Sequence, residues 1–81
     1  MDFTYVYILT STSWNEKYYV GLTEDLKSRL AVHNKGSVPA TKPYRPWIIK
    51  TAIAFSEPEQ ARAFEKYLKS PSGRAFSKKR L

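Results

Sequence analysis

The sequence predicts a small α+β domain in which a three-stranded antiparallel sheet is flanked by helices, in the order β-β-α-β-α-α. Three observations predict it: segments of aromatic and β-branched residues, helix-capping residues ahead of helically spaced apolar positions, and turn-forming residues between these segments. The length of 81 residues fits a single domain, expected over residues 1–81. A chain of this length buries only about 60% of its unfolded surface, so its core is thin.

Two strands are predicted near the N-terminus and a third near the middle of the chain. Residues 3–9 and 18–20 are rich in aromatic and β-branched side chains. The polar residues 11–17 between them indicate a hairpin with a longer loop, and Gly21 is expected to end the second strand. Residues 47–55 have the composition of the third strand.

The first helix is predicted over residues 24–34. Thr23 is a suitable N-cap, and the acids at the next two positions interact favourably with the start of a helix macrodipole. Gly36 is a suitable residue to end the helix. The three prolines within residues 36–46 exclude a helix or a central strand, so this segment is expected to be a long loop.

The second helix is predicted to begin after a capping box. Ser56 and Glu59 have the required spacing, and Pro58 suits the first turn. The helix is expected to run to about Lys69 and to bury one side of its surface, formed by Ala61, Phe64 and Leu68. Pro71 and Gly73 are expected to end this helix, and a short basic helix is expected to follow over residues 74–80.

The charge of the chain is uneven and predicts a polyanionic partner. Residues 1–34 have a balance of −1, whereas residues 35–81 carry eleven Lys or Arg and three Glu, a balance of +8. Nucleic acid is one such partner, and the alternative is that the charge only confers solubility. The absence of Cys excludes disulfides and thiolate metal sites. No signal peptide or apolar stretch of about 20 residues is present, which predicts a cytoplasmic protein without membrane contact.

Among the seven acidic residues, Glu65 is the one without a helix-start, turn or terminal explanation. It lies in the middle of the second predicted helix, where a carboxylate can hold Mg²⁺ for phosphodiester cleavage. The alternative is an ordinary surface pair with Lys69, four residues further along the helix. A single candidate acid also argues against a site with two metal ions.

Polar residues on the first helix and the first two strands form a second candidate group. Arg29 and His33 are four residues apart and share one helix face, where the arginine can stabilise a phosphoryl charge and the histidine can transfer a proton. Tyr7 and Tyr19 lie on the paired strands. The alternatives are a partly buried pair bonded to the hairpin and ordinary aromatic packing.

Taken together, these residues resemble the GIY-YIG nuclease family. The two strands carry Tyr5-Val6-Tyr7 and Tyr19-Val20-Gly21 in place of the two tripeptides that name the family, with Tyr5 where glycine is usual. The resemblance is closest to its small stand-alone bacterial members and extends to the nuclease domains of excision-repair and intron-encoded endonucleases. It continues through motifs in the expected order: Gly21-Leu22-Thr23, Asp25-Leu26, Arg29-Leu30, His33-Asn34, the segment from Phe64 to Ser70, and Gly73-Arg74.

The resemblance implies a role for each matching residue. Glu65 would be the sole protein ligand of one Mg²⁺ or Mn²⁺ ion, and Arg29 would stabilise the phosphoryl charge. Tyr7 would be the general base toward the attacking water, assisted by His33. Tyr19 would position the water or the phosphate. Gly21 and Asn34 would belong to the structural motif of the family. Because Gly21 has no side chain, it would let the backbone pass close to the site.

The implied activity is metal-dependent endonucleolytic hydrolysis of DNA, with branched or flapped DNA as candidate substrates, a role in repair or recombination, and RNA as an alternative substrate. Basic residues in the loop and near the C-terminus are expected to contact phosphates: Lys35, Lys42, Arg45, Arg74, Lys78, Lys79 and Arg80. Two alternatives stay open. One is a non-catalytic nucleic-acid-binding module, and the other is a nuclease domain that needs a partner protein for substrate recognition.

The proposed base sets a physical demand. Tyrosine has a pKa of about 10, so ionisation near neutral pH requires about 4 kcal/mol of stabilisation. Arg29 and the cation are the nearby sources of positive potential. A water polarised by the cation, with Tyr7 only orienting it, is the rival mechanism.

Overall fold

The computed structural model describes residues 2–81 and contains three strands and three α-helices. The elements in chain order are β1 (Thr4–Ser11), β2 (Tyr18–Thr23), α1 (Leu26–Lys35), a 3₁₀ turn (Lys42–Tyr44), β3 (Trp47–Phe55), α2 (Pro58–Leu68) and α3 (Pro71–Arg80). The strands form one antiparallel sheet in the order β2-β1-β3. The predicted α+β class and the order β-β-α-β-α-α are therefore confirmed. No helix within residues 2–81 is long and apolar enough to span a membrane.

Alternation along the central strand β1 separates two cores, one on each face of the sheet. Val6 and Ile8 face α2, where they pack with Ala61 and Leu68. The opposite face carries Tyr7, Leu9 and Trp47, together with side chains of α1. A β-bulge at the Ile8–Leu9 step pairs these residues with Thr51 and Ile49 and leaves Lys50 without a partner across the ladder. Because the bulge shifts the alternation of β3, that strand contributes to both cores.

The boundaries of β2 and α1 differ from the prediction. Gly21 does not end β2: it pairs with Tyr7 inside the ladder, and the strand continues to Thr23. The N-cap of α1 is Asp25 rather than Thr23, and its carboxylate accepts from the Ser28 backbone N–H at 3.1 Å. Thr23 instead accepts from the Asp25 N–H, which forms a local turn ahead of the helix.

The end of α1 and the path of the following loop agree with the sequence. Gly36 ends the helix with φ +86°, in the left-handed region that glycine adopts without strain. Its N–H donates to the carbonyls of Val32 and His33, which satisfies the last turn. The loop contains only the short 3₁₀ turn, in which proline is the second residue.

The predicted capping box at the start of α2 is wrong. Glu57 is the N-cap, and no side chain caps the helix, which Pro58 begins. The expected breakers also act differently, because Pro71 is the first residue of α3 and Gly73 lies within it. Ser70 caps this helix by accepting from the Gly73 N–H at 3.1 Å.

Gly73 allows α3 to fold closely against the end of α2. A side chain at this position would collide with the backbone carbonyl of Tyr67. Glycine is therefore required here by space rather than by an unusual backbone angle, and the basic helix begins three residues earlier than residues 74–80 predict.

Candidate active site

Tyr7 is at the centre of a polar cluster on the α1 face of the sheet. Tyr7 is only 2% exposed, and its ring extends over Gly21 on the neighbouring strand β2. A Cβ atom on Gly21 would collide with the distal part of the ring. The missing side chain of Gly21 therefore creates the space that the Tyr7 hydroxyl occupies.

The Tyr7 hydroxyl contacts a fully buried histidine from α1. The distance from this hydroxyl to His33 Nε2 is 2.9 Å, and His33 is 0% exposed. On the other side of the ring, Nδ1 is 2.8 Å from the hydroxyl of Thr41, which the proline-rich loop contributes. Trp47 holds this part of the loop in place, because its indole N–H donates to the Thr41 carbonyl at 2.9 Å.

Arg29 and Tyr19 complete the cluster. Arg29 Nε donates to the Tyr7 hydroxyl at 3.4 Å, and the Tyr19 ring lies 4.9 Å from the His33 ring between centroids. Hydrogen bonding to Tyr7, together with the proximity of Tyr19, raises the pKa of Arg29, so its guanidinium is permanently charged. The helical spacing of Arg29 and His33 thus brings both to Tyr7 and Tyr19. These contacts fit both the catalytic interpretation and its alternative, a partly buried pair bonded to the hairpin.

The protonation states of the cluster follow from burial and from this arginine. Burial raises the pKa of Tyr7 above its usual 10.0, although Arg29 opposes the rise. Burial, with a smaller contribution from Arg29, lowers the pKa of His33 below 6.5. At neutral pH, therefore, Tyr7 keeps its proton and His33 is uncharged. Ionisation of Tyr7 as the resting base is disfavoured in this environment.

Glu65 lies on α2, the helix that packs against the opposite face of the sheet. Its carboxylate contacts Lys69 at 2.6 Å, the surface pair considered as the alternative from sequence, and it makes no hydrogen bond to Arg29 among residues 2–81. Lys69 lies between the two regions, because it lines a groove together with Tyr19 and its charge weakly opposes the rise in the pKa of Tyr7. Direct contacts thus unite four of the five candidate residues. The fifth, Glu65, makes its one ion pair with Lys69 among residues 2–81 and is not part of this cluster.

The donor set near Glu65 fits a hard cation with few protein ligands. No group of three or more His, Cys, Asp or Glu side chains that could hold a metal is found in the described part of the chain. Mg²⁺ keeps several water ligands and is often bound by one or two carboxylates plus substrate phosphates. A single carboxylate with a side chain 22% exposed is compatible with that chemistry, provided that Lys69 releases it.

A basic groove of about 760 Å³ is lined on one side by Tyr18 and Tyr19 of β2. Its cations come from the hairpin, β3, α2 and α3: Lys17, Lys50, Lys69, Arg74 and Lys78. Glu16 is the one acid that lines it. Two of these cations, Arg74 and Lys78, were expected from the sequence. The other three are brought together only by the fold, and no sequence pattern indicated them.

The remaining predicted phosphate-binding residues lie elsewhere. Lys42 and Arg45 line a shallow pocket beside Asn34, and the guanidinium of Arg45 donates to the Lys42 carbonyl at 2.9 Å. Lys35 is exposed at the end of α1, and two residues are exposed at the end of α3: Lys79 and Arg80. Of the seven predicted residues, two therefore line the loop pocket, two line the groove, and the other three line neither of these surfaces.

Asn34 has a structural position beside the site. Its side-chain oxygen accepts from the Trp47 N–H at 2.7 Å, and its amide donates to the Trp47 carbonyl at 2.9 Å. These two bonds join the end of α1 to the start of β3. They hold His33, the preceding residue, against the sheet.

Comparison with known proteins identifies the family. Residues 3–80 match the family model described as the GIY-YIG catalytic domain. Searches of curated proteins and of solved structures gave no match. The family match extends over nearly all of the chain and includes every element that positions the polar cluster. The chain therefore belongs to the GIY-YIG family, whose domain has a nuclease-type fold.

Proposed function

We propose that the protein is a metal-dependent endonuclease that hydrolyses DNA phosphodiester bonds, with branched or flapped DNA as the substrate class to test first. The observation that carries the proposal is the buried contact between the Tyr7 hydroxyl and His33 beside the charged Arg29. A neutral histidine next to a protonated tyrosine forms an acid–base pair, and the adjacent guanidinium supplies positive charge for a phosphate.

The pair provides a path for the proton of the attacking water. As the water oxygen forms its bond to phosphorus, Tyr7 takes a proton from that water and passes its own proton to His33 Nε2. Arg29 stabilises the negative charge that develops on the phosphoryl oxygens while the bond to the leaving oxygen breaks. This relay avoids a resting tyrosinate, which burial disfavours. Tyr19 positions the water or the phosphate from the adjacent strand.

We propose Glu65 as the protein ligand of one Mg²⁺ or Mn²⁺ ion. The ion supplies charge neutralisation at the leaving oxygen when bound. Glu65 has to exchange its contact with Lys69 for this role, and the substrate itself assists, because a phosphate drawn to the basic groove competes for the Lys69 ammonium. The opposite faces of the sheet would thus contribute to one site around the β2 edge.

The basic surfaces suit binding of the phosphate backbone. Five cations line the groove beside Tyr19, and the loop pocket adds Lys42 and Arg45. Contacts of this kind are insensitive to base sequence and sensitive to salt. Further basic residues extend the two surfaces: Lys35, Lys79 and Arg80. RNA is a second substrate class that the same contacts accommodate, and cytoplasmic DNA repair or recombination is the setting that we propose.

The test is a cleavage assay on linear, flapped and branched DNA and on RNA, with Mg²⁺, with Mn²⁺ and with chelator. The proposal expects metal-dependent products from at least one DNA substrate and binding that weakens with salt. Two phosphate contacts alone would lower affinity about tenfold between roughly 50 and 200 mM salt. Absence of cleavage on every substrate, with binding retained, would support the second candidate function.

That second candidate is a nucleic-acid-binding module without its own catalysis. The Glu65–Lys69 pair favours it, since this carboxylate is neutralised and makes no hydrogen bond to Arg29 within residues 2–81. A nuclease domain that depends on a partner protein for substrate recognition is distinguishable from it. Such a domain would still cleave slowly at high enzyme concentration, and a variant lacking Glu65 would not.

A further inference from the structure

Thr41 is a buried hydroxyl that neither the sequence motifs nor the proposed function assigns to the site. It is 0% exposed and lies in the proline-rich loop, eight residues after His33. Its oxygen is 2.8 Å from His33 Nδ1 and 3.3 Å from the Val38 carbonyl. We propose that Thr41 is a positioning residue that holds His33 in the tautomer protonated at Nδ1, so that Nε2 is available to accept the proton of Tyr7.

The direction of the hydrogen bonds follows from counting protons. The Tyr7 oxygen accepts from Arg29 Nε, and its own proton has one acceptor among residues 2–81, His33 Nε2. If Nε2 carried the histidine proton, two donors would point at the Tyr7 oxygen and the Tyr7 proton would have no protein acceptor among residues 2–81. A buried polar hydrogen without a partner is unfavourable. Nδ1 must then carry the proton and donate to Thr41.

The Thr41 hydroxyl can accept this proton because its own proton has a different acceptor. It donates to the Val38 carbonyl, and the result is a continuous series of donors from Arg29 through Tyr7, His33 and Thr41 to Val38. Each of the first four groups donates to the next, and the Val38 carbonyl is the final acceptor. The protonation of one ring nitrogen of histidine is set by the bond that the other nitrogen makes, so the loop determines that Nδ1 carries the proton and that Nε2, which faces Tyr7, is the acceptor.

Removing the hydroxyl leaves the loop otherwise satisfied. The Val38 carbonyl also accepts from the backbone N–H groups of Thr41 at 3.1 Å and of Lys42 at 2.9 Å. The Thr41 carbonyl keeps its bond from the Trp47 indole. Thr41→Val therefore removes the acceptor of Nδ1 with little change of shape, and Thr41→Ser restores it.

The experiment uses the fact that His33 is the only histidine in the chain. Long-range ¹H–¹⁵N correlation spectra of the ring, recorded at about pH 8, where an ordinary histidine of pKa about 6.5 is neutral, report which nitrogen is protonated. We expect the Nδ1–H tautomer in the parent and in Thr41→Ser. We expect the Nε2–H tautomer, or a mixture, in Thr41→Val. Thr51→Val is the matched control on the α2 face, and it should keep the parent tautomer.

Cleavage supplies the second readout, and this part rests on the proposed function. General acid–base catalysis contributes about 10²–10⁴-fold, so Thr41→Val should lower kcat by at least about 10²-fold with KM nearly unchanged. Thr41→Ser should recover most of the rate. A lower kcat in Thr41→Val without a change of tautomer would assign Thr41 a purely structural role and overturn the inference.

The spectrum of the parent separates failure of this inference from failure of the proposed function. A parent in the Nε2–H tautomer overturns the role of Thr41 even if DNA is cleaved. A parent in the Nδ1–H tautomer that changes in Thr41→Val supports the role even if no cleavage is found. If Thr41→Val does not fold, Thr41→Ala and Thr41→Ser provide the same comparison.

Discussion

The two faces of the sheet use the same strand, β1, for different purposes. On the α2 face, Val6 and Ile8 pack against helix side chains that are apolar and buried. On the α1 face, the adjacent residue Tyr7 is equally buried but reaches a buried histidine and threonine through hydrogen bonds. The first face stabilises the fold through burial of apolar surface. The second uses part of the small core for polar groups, each of which needs a hydrogen-bond partner.

A thin core can include a polar site when each buried polar group has a hydrogen-bond partner. In the described part of the chain, no buried side-chain nitrogen or oxygen lacks a hydrogen-bond partner. The buried polar cluster is therefore compatible with a stable fold as long as all of its hydrogen bonds are formed. Changes on the α1 face should affect chemistry more than stability, and changes on the α2 face should do the reverse.

The largest effect is expected for Tyr7→Phe. It removes the hydroxyl that contacts His33 and Arg29 and that we propose as the proton acceptor, so kcat should fall by about 10²–10⁴-fold. Stability should fall by about 1–3 kcal/mol, because His33 Nε2 loses its partner in a buried position. Single-turnover cleavage and thermal melting measure the two quantities. A parental cleavage rate in this variant would remove Tyr7 from the proton path.

Val6→Ala is the matched change on the other face. Val6 is 1% exposed and packs in the apolar core, so loss of its two methyl groups should lower the free energy of unfolding by about 2 kcal/mol. Cleavage per folded molecule should equal that of the parent. Denaturant unfolding gives the first quantity, and cleavage at a temperature where both proteins are folded gives the second. A large loss of kcat would contradict the division between the faces.

Gly21→Ala should lower the cleavage rate, although glycine itself has no functional group. The added methyl collides with the distal part of the Tyr7 ring, which can move, so the Tyr7–His33 contact is lost and cleavage falls about tenfold or more. Gly73→Ala is the contrasting control, because its methyl meets the Tyr67 backbone carbonyl, which cannot move without separating α3 from α2. We expect a lower melting temperature for Gly73→Ala. Equal cleavage by Gly21→Ala and the parent would show that the close approach has no catalytic purpose.

The smallest expected effect is a pH dependence of stability that comes from His33. Its pKa in the folded protein is lowered by burial and by Arg29. The other groups that face its ring are the hydroxyls of Tyr7 and Thr41 and the aromatic ring of Tyr19. The unfolded chain therefore binds the proton more readily. Stability should be unaffected above about pH 6.5 and should fall as the pH decreases below it.

Thermal melts of the parent and of His33→Gln between about pH 5 and 8 measure this dependence. Ordinary carboxylates, with pKa values near 4, remain ionised throughout this range. The slope below about pH 6.5 should be present in the parent and absent in the variant. A parent that becomes more stable as the pH falls through this range would contradict the assigned cause. The window is distinct from that of Asp25, whose pKa is lowered below 3.8 by its bonds to Ser28.

Much of the fold could be predicted because strand composition and helix spacing are local signals. The bounds of β3 agree with the prediction at both ends. The caps were harder, since Thr23 and Asp25 both suit a helix start and Pro71 can either break a helix or begin one. Local sequence does not decide such cases, because the packing of the finished helix selects between them.

The positions of the site residues could be predicted where these residues lie on a helix or strand, because its regular spacing determines which side chains share a face. The spacing of four places Arg29 and His33 on one face of α1, and strand pairing places Tyr7 near Gly21. Thr41 was not among the predicted site residues, because the path of a proline-rich loop has no period that predicts its contacts. Lys50 joins the groove through a β-bulge, which shifts the alternation on which strand predictions depend.

The most direct test of the account is metal-dependent cleavage by the parent and by Glu65→Ala under identical conditions. Glu65 lies on the helix that packs against the other face of the sheet from Tyr7 and His33, and its participation requires release from Lys69. The account predicts cleavage with Mg²⁺ or Mn²⁺ in the parent and none in Glu65→Ala. Binding and melting temperature should be retained, since alanine favours a helix and only a surface pair is lost. Equal cleavage by the two proteins would remove Glu65 from the mechanism and contradict the account.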